Sequence, residues 1–365
     1  MNYVVLRKGV KKLRKLNSAF AILLIAVTAV NAQSVSEAVG YVNLTITAGT
    51  GSAKKSTYLS FPLLDKDPAI AGKTAGTITA VTSTTITDEN AGWAAGALSA
   101  PATPYLIGIT SGTAAGRIFH IASSATTAGA VGAAGSANTA TKVTISTLET
   151  ASGIDLTTVG VAAGDSYQIY ACDTLGSVLP KTVGVLTGVS AAASDSVVIV
   201  YNGLSGTYWH NGTNWKKSGF GAPDADNTPI LPNYGITYSR LPASSITLTA
   251  IGTVPSIARK VQIKNSGITL LAAYFPTDTT LSSLGLQNLA GWVANSAVTT
   301  ADKVVVVVGG AGSTYWYNGT TWKKSAFGFP NANLDSIPIG ATVYINKYGT
   351  GSGFTTFSQA LPYTL

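Results

Sequence analysis

Tyr208-Trp-His-Asn-Gly-Thr-Asn-Trp-Lys-Lys217 returns as Tyr315-Trp-Tyr-Asn-Gly-Thr-Thr-Trp-Lys-Lys324, with eight of the ten positions matching. Widened to 207–223 against 314–330, thirteen of seventeen positions match at a constant offset of 107. A repeat of that fidelity means that one structural unit occurs twice, which speaks for a duplicated β scaffold and against a single catalytic cleft. Asn-Gly between aromatic and β-branched residues is the strongest short signal for a hairpin with a two-residue turn. With Asn211-Gly212 as that turn, His210 pairs with Thr213, Trp209 with Asn214 and Tyr208 with Trp215. Alternation then places Tyr208, His210 and Trp215 on one face and Trp209 on the other. The second copy divides its aromatics the same way, with Tyr315, Tyr317 and Trp322 against Trp316.

Outward from the hairpins, the likeness continues. Ser194-Asp195 precedes the apolar run Val197–Tyr201, and Ala301-Asp302 precedes Val304–Val308. Continuous apolar runs of this length, bounded by Asp and Gly, predict strands buried on both faces. Phe220-Gly-x-Pro223 is answered by Phe327-Gly-x-Pro330. Upstream, Ala38-Val-Gly-Tyr-Val42 echoes Ala250-Ile-Gly-Thr-Val254, and the stretch 58–63 echoes 271–276. Period-two alternation over 42–47, 142–146 and 166–170 adds further strands, while 279–289 predicts two or three helical turns. These patterns give an all-β fold: two related units with Asn-Gly hairpins, plus an inserted small barrel-like module over about 70–170. The expected boundaries are 1–32 for a signal peptide and 33–172 for an N-terminal β module carrying the insertion. The first hairpin unit then spans 173–249 and the second 250–365.

Composition supports strands. Thr, Val, Ala, Ser and Gly dominate and only 10% of residues are charged, so the Glu, Lys, Arg and Leu that sustain long helices are scarce. The first residues hold Arg7, Lys8, Lys11, Lys12, Arg14 and Lys15, then the apolar run 19–30, then Val30-Asn31-Ala32. That order matches a secretory signal peptide cleaved after Ala32. The run is shorter than the roughly 20 residues of a spanning helix, so no stable membrane anchor is expected. Six cations and no acid lie in this leader, so a formal charge of +8 falls to about +2 in the remainder. The basicity is therefore a targeting feature, and nucleic acid is not an expected partner. An exported chain whose one cysteine is Cys172 forms no intramolecular disulfide, and a buried apolar role suits that thiol.

Chemistry is sparse. The two histidines, His120 and His210, lie far apart, and one thiol with two imidazoles does not make a zinc site. No Gly-x-Ser-x-Gly elbow, Walker loop or dinucleotide fingerprint occurs, and His210 gives way to Tyr317 in the second copy. Asp224-Ala-Asp226-Asn227 has the oxygen density of a calcium loop. Its counterparts are Asn331, Asn333 and Leu334, so turn formation accounts for both copies. No catalytic residue, metal or cofactor is expected. The residues open to a ligand are Trp209 and Trp316, whose rings can stack on a sugar or a partner if exposed, with Asn214, Lys216 and Lys323 supplying hydrogen bonds.

Gly40-Tyr-Val, Tyr58-Leu-Ser-Phe-Pro-Leu-Leu64, Gly76-Thr-Ile-Thr-Ala-Val81, Ala162-Ala-Gly-Asp-Ser-Tyr-Gln-Ile169, Thr174-Leu-Gly176 and the Tyr-Trp-x-Asn-Gly-x-x-Trp hairpin together carry a resemblance. Behind its leader the chain resembles secreted β-rich proteins present in many copies in Verrucomicrobia-type bacteria. The resemblance implies export and a β-rich fold and lends no catalytic residues. The expectation that results is a secreted, periplasmic or cell-surface protein with a structural or adhesive role at the envelope. Its partners would be glycans, other envelope proteins or further copies of itself. The alternative is a carbohydrate-binding module.

Overall fold

The computed structural model describes residues 38–65, 68, 70–99, 103–122, 138–146, 155–201, 204–308 and 311–364. The expected leader lies outside them. Val39–Leu365 forms one compact unit that is nearly all β, with antiparallel pairing throughout its sheets.

Two five-stranded sheets repeat one plan. The first runs, in spatial order, Trp215–Lys217, Leu204–His210, Ser196–Tyr201, Ile236–Arg240, Lys55–Leu59. The second runs Trp322–Lys324, Ala311–Tyr317, Lys303–Val308, Thr342–Lys347, Gly267–Ala272. Each sheet is accompanied by a two-stranded ribbon: Val39–Ile46 with Ile246–Thr253, and Arg259–Lys264 with Phe354–Gln359. The echo between 38–42 and 250–254 thus has another meaning than equivalence. Those stretches pair with each other, Val39 opposite Thr253 and Tyr41 opposite Ile251. In the apolar runs Val197, Ile199, Val304 and Val306 are buried, while Val198, Val200, Val305 and Val307 are half-buried. Their second face is only partly covered. The helical signal at 279–289 becomes one turn, Leu281–Leu284, capped by Thr280 and stopped at Gly285 (φ 81°), then a 3-10 turn at Leu286–Asn288. A helix cannot propagate through a left-handed residue.

The sheets meet through reciprocal contacts. Ala272 N donates to Asn233 O (3.2 Å), and at the equivalent place Ser60 N donates to Gly340 O (2.7 Å). Each repeat therefore offers the other the same surface, the hallmark of a twofold interface, here within one chain. Gly235 permits this approach, because a Cβ there would stand 1.9 Å from Thr342 Oγ1. One continuous core runs through both repeats, from Trp215 and Tyr238 to Trp322 and Val343. Arg259 lies wholly buried at the junction, its guanidinium donating to Ala272 O (2.7 Å) and Asn233 O (2.9 Å).

Between Asp65 and Ala171 the chain builds a second core around Ile86, Trp93, Ile107, Phe119, Tyr167 and Ile169. It is lined by a four-stranded sheet (Ala75–Thr77, Ser166–Ala171, Tyr105–Ile109, Ile118–His120) and a three-stranded one (Ala80–Val81, Thr85–Thr87, Lys142–Thr144). Neither sheet closes into a barrel. Among the described residues they touch along one side through the bridge of Ile121 to Ile145, and on the other the chain passes from Thr77 to Ala80. The segment also packs on the ribbon of the second repeat, where Lys260 N donates to Gly116 O (2.9 Å) and Arg117 Nη2 to Thr356 Oγ1 (2.7 Å).

Candidate functional site

The hairpin turns are longer than the Asn-Gly signal predicts. His210 stands opposite Trp215, Trp209 opposite Lys216 and Tyr208 opposite Lys217, leaving residues 211–214 as a four-residue loop. The second copy has the same register, with Tyr317 opposite Trp322. Asn211 does not adopt positive φ. Its Oδ1 accepts from Thr213 N (2.9 Å) and Asn214 N (2.8 Å), and only Gly212 takes the left-handed conformation. The side chain thus closes an Asx turn that competes with the two-residue form. A shift by two residues preserves every facing, so Tyr208, His210 and Trp215 still share one side. The aromatic partner of Trp215 is His210, edge to face at 5.6 Å between ring centroids, and not Tyr208.

The stacking residues expected from the sequence are buried. Trp209 is 8% exposed and Trp316 2%, so neither offers a face for a sugar. Asn214 spends its amide on Asp226 Oδ2, Lys216 pairs with Asp224, and Lys323 is half-buried beside Asn331. Asp226 Oδ1 also accepts from Trp215 N (2.8 Å), and its counterpart Asn333 accepts from Trp322 N (2.8 Å). The oxygen-rich stretch after each hairpin is therefore turn and anchor. Among the described residues no group of three or more potential metal ligands gathers.

What each copy does present is the loop that follows. Phe220 and Phe327 stand fully exposed at equivalent tips. Each loop is pinned at its base, with Lys217 N donating to Pro223 O (3.0 Å) and Lys324 N to Pro330 O (3.1 Å). Two residues beyond each tip, Ala222 (φ 39°) and Phe329 (φ 46°) are the non-glycine residues with positive φ among those described. Left-handed backbone is unfavourable for residues carrying a Cβ and persists where surrounding bonds over-determine it. Ala222 N donates to Gly219 O (3.2 Å) and Phe329 N to Ala326 O (3.0 Å), closing both turns. The Phe329 ring lies against Trp316 at 5.4 Å, which explains why Trp316 is more deeply buried than Trp209, whose counterpart neighbour is Ala222. The Phe-Gly-x-Pro match was visible in sequence, but only as part of the repeat. An apolar residue set beside glycine in a loop was the signal to follow.

Both histidines are buried, and burial lowers the pKa of each. Around His120 neither ring nitrogen has a partner among the described residues, and its pKa is pushed down to about 4. His210 is lowered as well, chiefly by burial, with Asp226 raising it and Lys181 lowering it. Its Nδ1 accepts from Gly212 N (3.0 Å), a bond that suits the neutral ring. Cys172 is buried, as a small apolar residue would be. Among the described residues no helix is long and apolar enough to cross a membrane. No family model matches the chain, and neither a curated protein nor a solved structure matches it.

Proposed function

We propose that this is an exported, non-enzymatic β protein with a structural and adhesive role at the cell envelope, attaching through Phe220 and Phe327. The supporting observation is the duplicated tip: one fully exposed phenylalanine per repeat, each followed by a non-glycine residue held at positive φ. Exposed aromatic side chains are poor for solubility and good for attachment, and a strained backbone is retained where the conformation itself matters. Two tips on one chain make attachment bivalent, so losing one weakens it by far more than half. The carbohydrate-binding alternative loses its stacking residues with the burial of Trp209 and Trp316. Export belongs to the same reading and rests on the basic and apolar leader.

The test pairs Phe220→Ser with Phe327→Ser in the processed chain. Retention on apolar surfaces and on envelope preparations should fall at least about tenfold in the double variant, and less in either single variant. Thermal stability should stay within about 0.5 kcal/mol of the parent, because both rings are solvated in the fold. Unchanged retention in the double variant overturns the proposal.

A further inference from the structure

The ribbon strand Ile246–Thr253 is paired along one edge with Val39–Ile46 and, among the described residues, only at Thr253 along the other. Thr253 exchanges both of its backbone bonds with Leu64: Thr253 N donates to Leu64 O (2.7 Å), and Leu64 N to Thr253 O (3.2 Å). Those groups point away from Val39, so by the period of two the N–H and C=O of Ile251, Thr249 and Thr247 point the same way. None of them has a backbone partner there among the described residues. Among the described residues Leu64 is thus the one that pairs with this second edge. The next residue, Asp65, bridges to Ala171 instead.

A cavity of about 430 Å³ runs along the vacated edge, lined by 247–251 on one side. Phe61, Leu63, Val178 and Val183 give it apolar walls, and Asp173 stands in it with Ser177. Among the described residues the Asp173 carboxylate has no hydrogen bond or ion pair and no cation lines the cavity, while Asp65 is its electrostatic neighbour. We infer that this groove is a strand-addition site for an extended peptide that presents a lysine or arginine to Asp173. The peptide completes the ribbon by pairing with Thr247, Thr249 and Ile251. Main-chain bonds to the bare edge provide affinity, the apolar walls take alternate side chains, and the lone carboxylate selects a cation. The site is remote in sequence from the phenylalanine tips and does not depend on the proposed adhesive role.

A labelled peptide of about seven residues, alternating valine and threonine with a central lysine, is the probe. Fluorescence anisotropy should give saturable binding, weakened about tenfold by glutamate in place of the lysine and equally by Asp173→Asn. Alternate N-methylation separates the edge from the cavity. Methyl groups on the amides facing the strand should abolish binding, and methyl groups on the intervening amides should spare it. Equal binding of the two methylated series would mean an apolar cavity ligand only and would overturn the inference, as would no saturable binding. A concentration-dependent dimer that displaces the peptide would also overturn it, because a second copy would then own the edge. Retention on apolar surfaces should be unaffected by Asp173→Asn, so failure here and failure of the adhesive reading are distinguishable.

Discussion

The two repeats set a carboxylate in the same buried position and neutralise it with different cations. In the first, Asp195 accepts from Arg240 Nη1 (2.8 Å), Tyr238 Oη (2.8 Å), Leu186 N (2.9 Å) and Leu241 N (2.9 Å). In the second, Asp302 pairs with Lys347 and accepts from Val293 N (2.7 Å) and Tyr348 N (2.7 Å). Every backbone contact is reproduced at the offset of 107, including the carbonyl that steadies the cation: Gly184 for Arg240 and Gly291 for Lys347. The arginine spreads its remaining donors over Ser244. The lysine, with fewer donors, lays its ammonium over the Trp292 ring at 4.8 Å. The duplication has therefore kept the location of the charge and let its chemistry drift. A buried anion tolerates exchange of its cation only when the new cation's leftover donors are also satisfied.

Removing the anion gives the largest effect expected from this comparison. Asp195→Ala and Asp302→Ala each leave a buried cation unpaired and should cost about 3–5 kcal/mol in urea denaturation. Asp195→Ala should be the worse by about 1 kcal/mol, since it strands one more donor, the Tyr238 hydroxyl. A loss below about 1 kcal/mol in either copy would break the view that these carboxylates hold their sheets together.

A second contrast is Asp173, whose place in the other repeat is taken by Thr279. Burial and then the Asp65 carboxylate push the Asp173 pKa up to about 6. The folded state thus binds this proton more readily than the unfolded chain. Stability from this group is highest at low pH and is lost as pH rises from about 4 to about 6. Asp173→Thr, which copies the second repeat, should raise stability at pH 7.5 by about 1–2 kcal/mol after allowance for partial solvent access. The gain should vanish near pH 4. An equal gain at both pH values would show that packing, and not charge, separates the two copies here.

The smallest expected effect lies at the loops. Phe329→Ala gives the second copy the first copy's residue, so Trp316 loses its edge-to-face ring and about 1 kcal/mol of stability. Indole N–H exchange at Trp316 should then approach that at Trp209. Should the two indoles remain as different as before, the Phe329 ring is not what deepens Trp316.

Much of this architecture was legible in the chain. The repeat and its offset stand in the matching residues themselves, and the division of aromatics between hairpin faces follows from period-two alternation, which survives a register shift of two. The register itself was not legible, because Asn211 closes the turn with its side chain, an alternative that the Asn-Gly pair leaves open. Burial of Trp209 and Trp316 was not legible either. Alternation says which residues share a face but not whether another layer covers it. The exposure of Phe220 and Phe327 was not legible, because hydrophobicity predicts burial only on average.

By itself the sequence determined that this protein is all-β, built on a duplicated hairpin unit and interrupted after its first strands, because local periodicity and turn chemistry act over a few residues. Only the tertiary structure decided the reciprocal contact of the repeats, the cation that meets each buried carboxylate and the strand edge left bare at Thr247–Ile251. Each of these joins residues tens to hundreds of positions apart. Such contacts are fixed by how layers pack and how donors find acceptors, which no local pattern records.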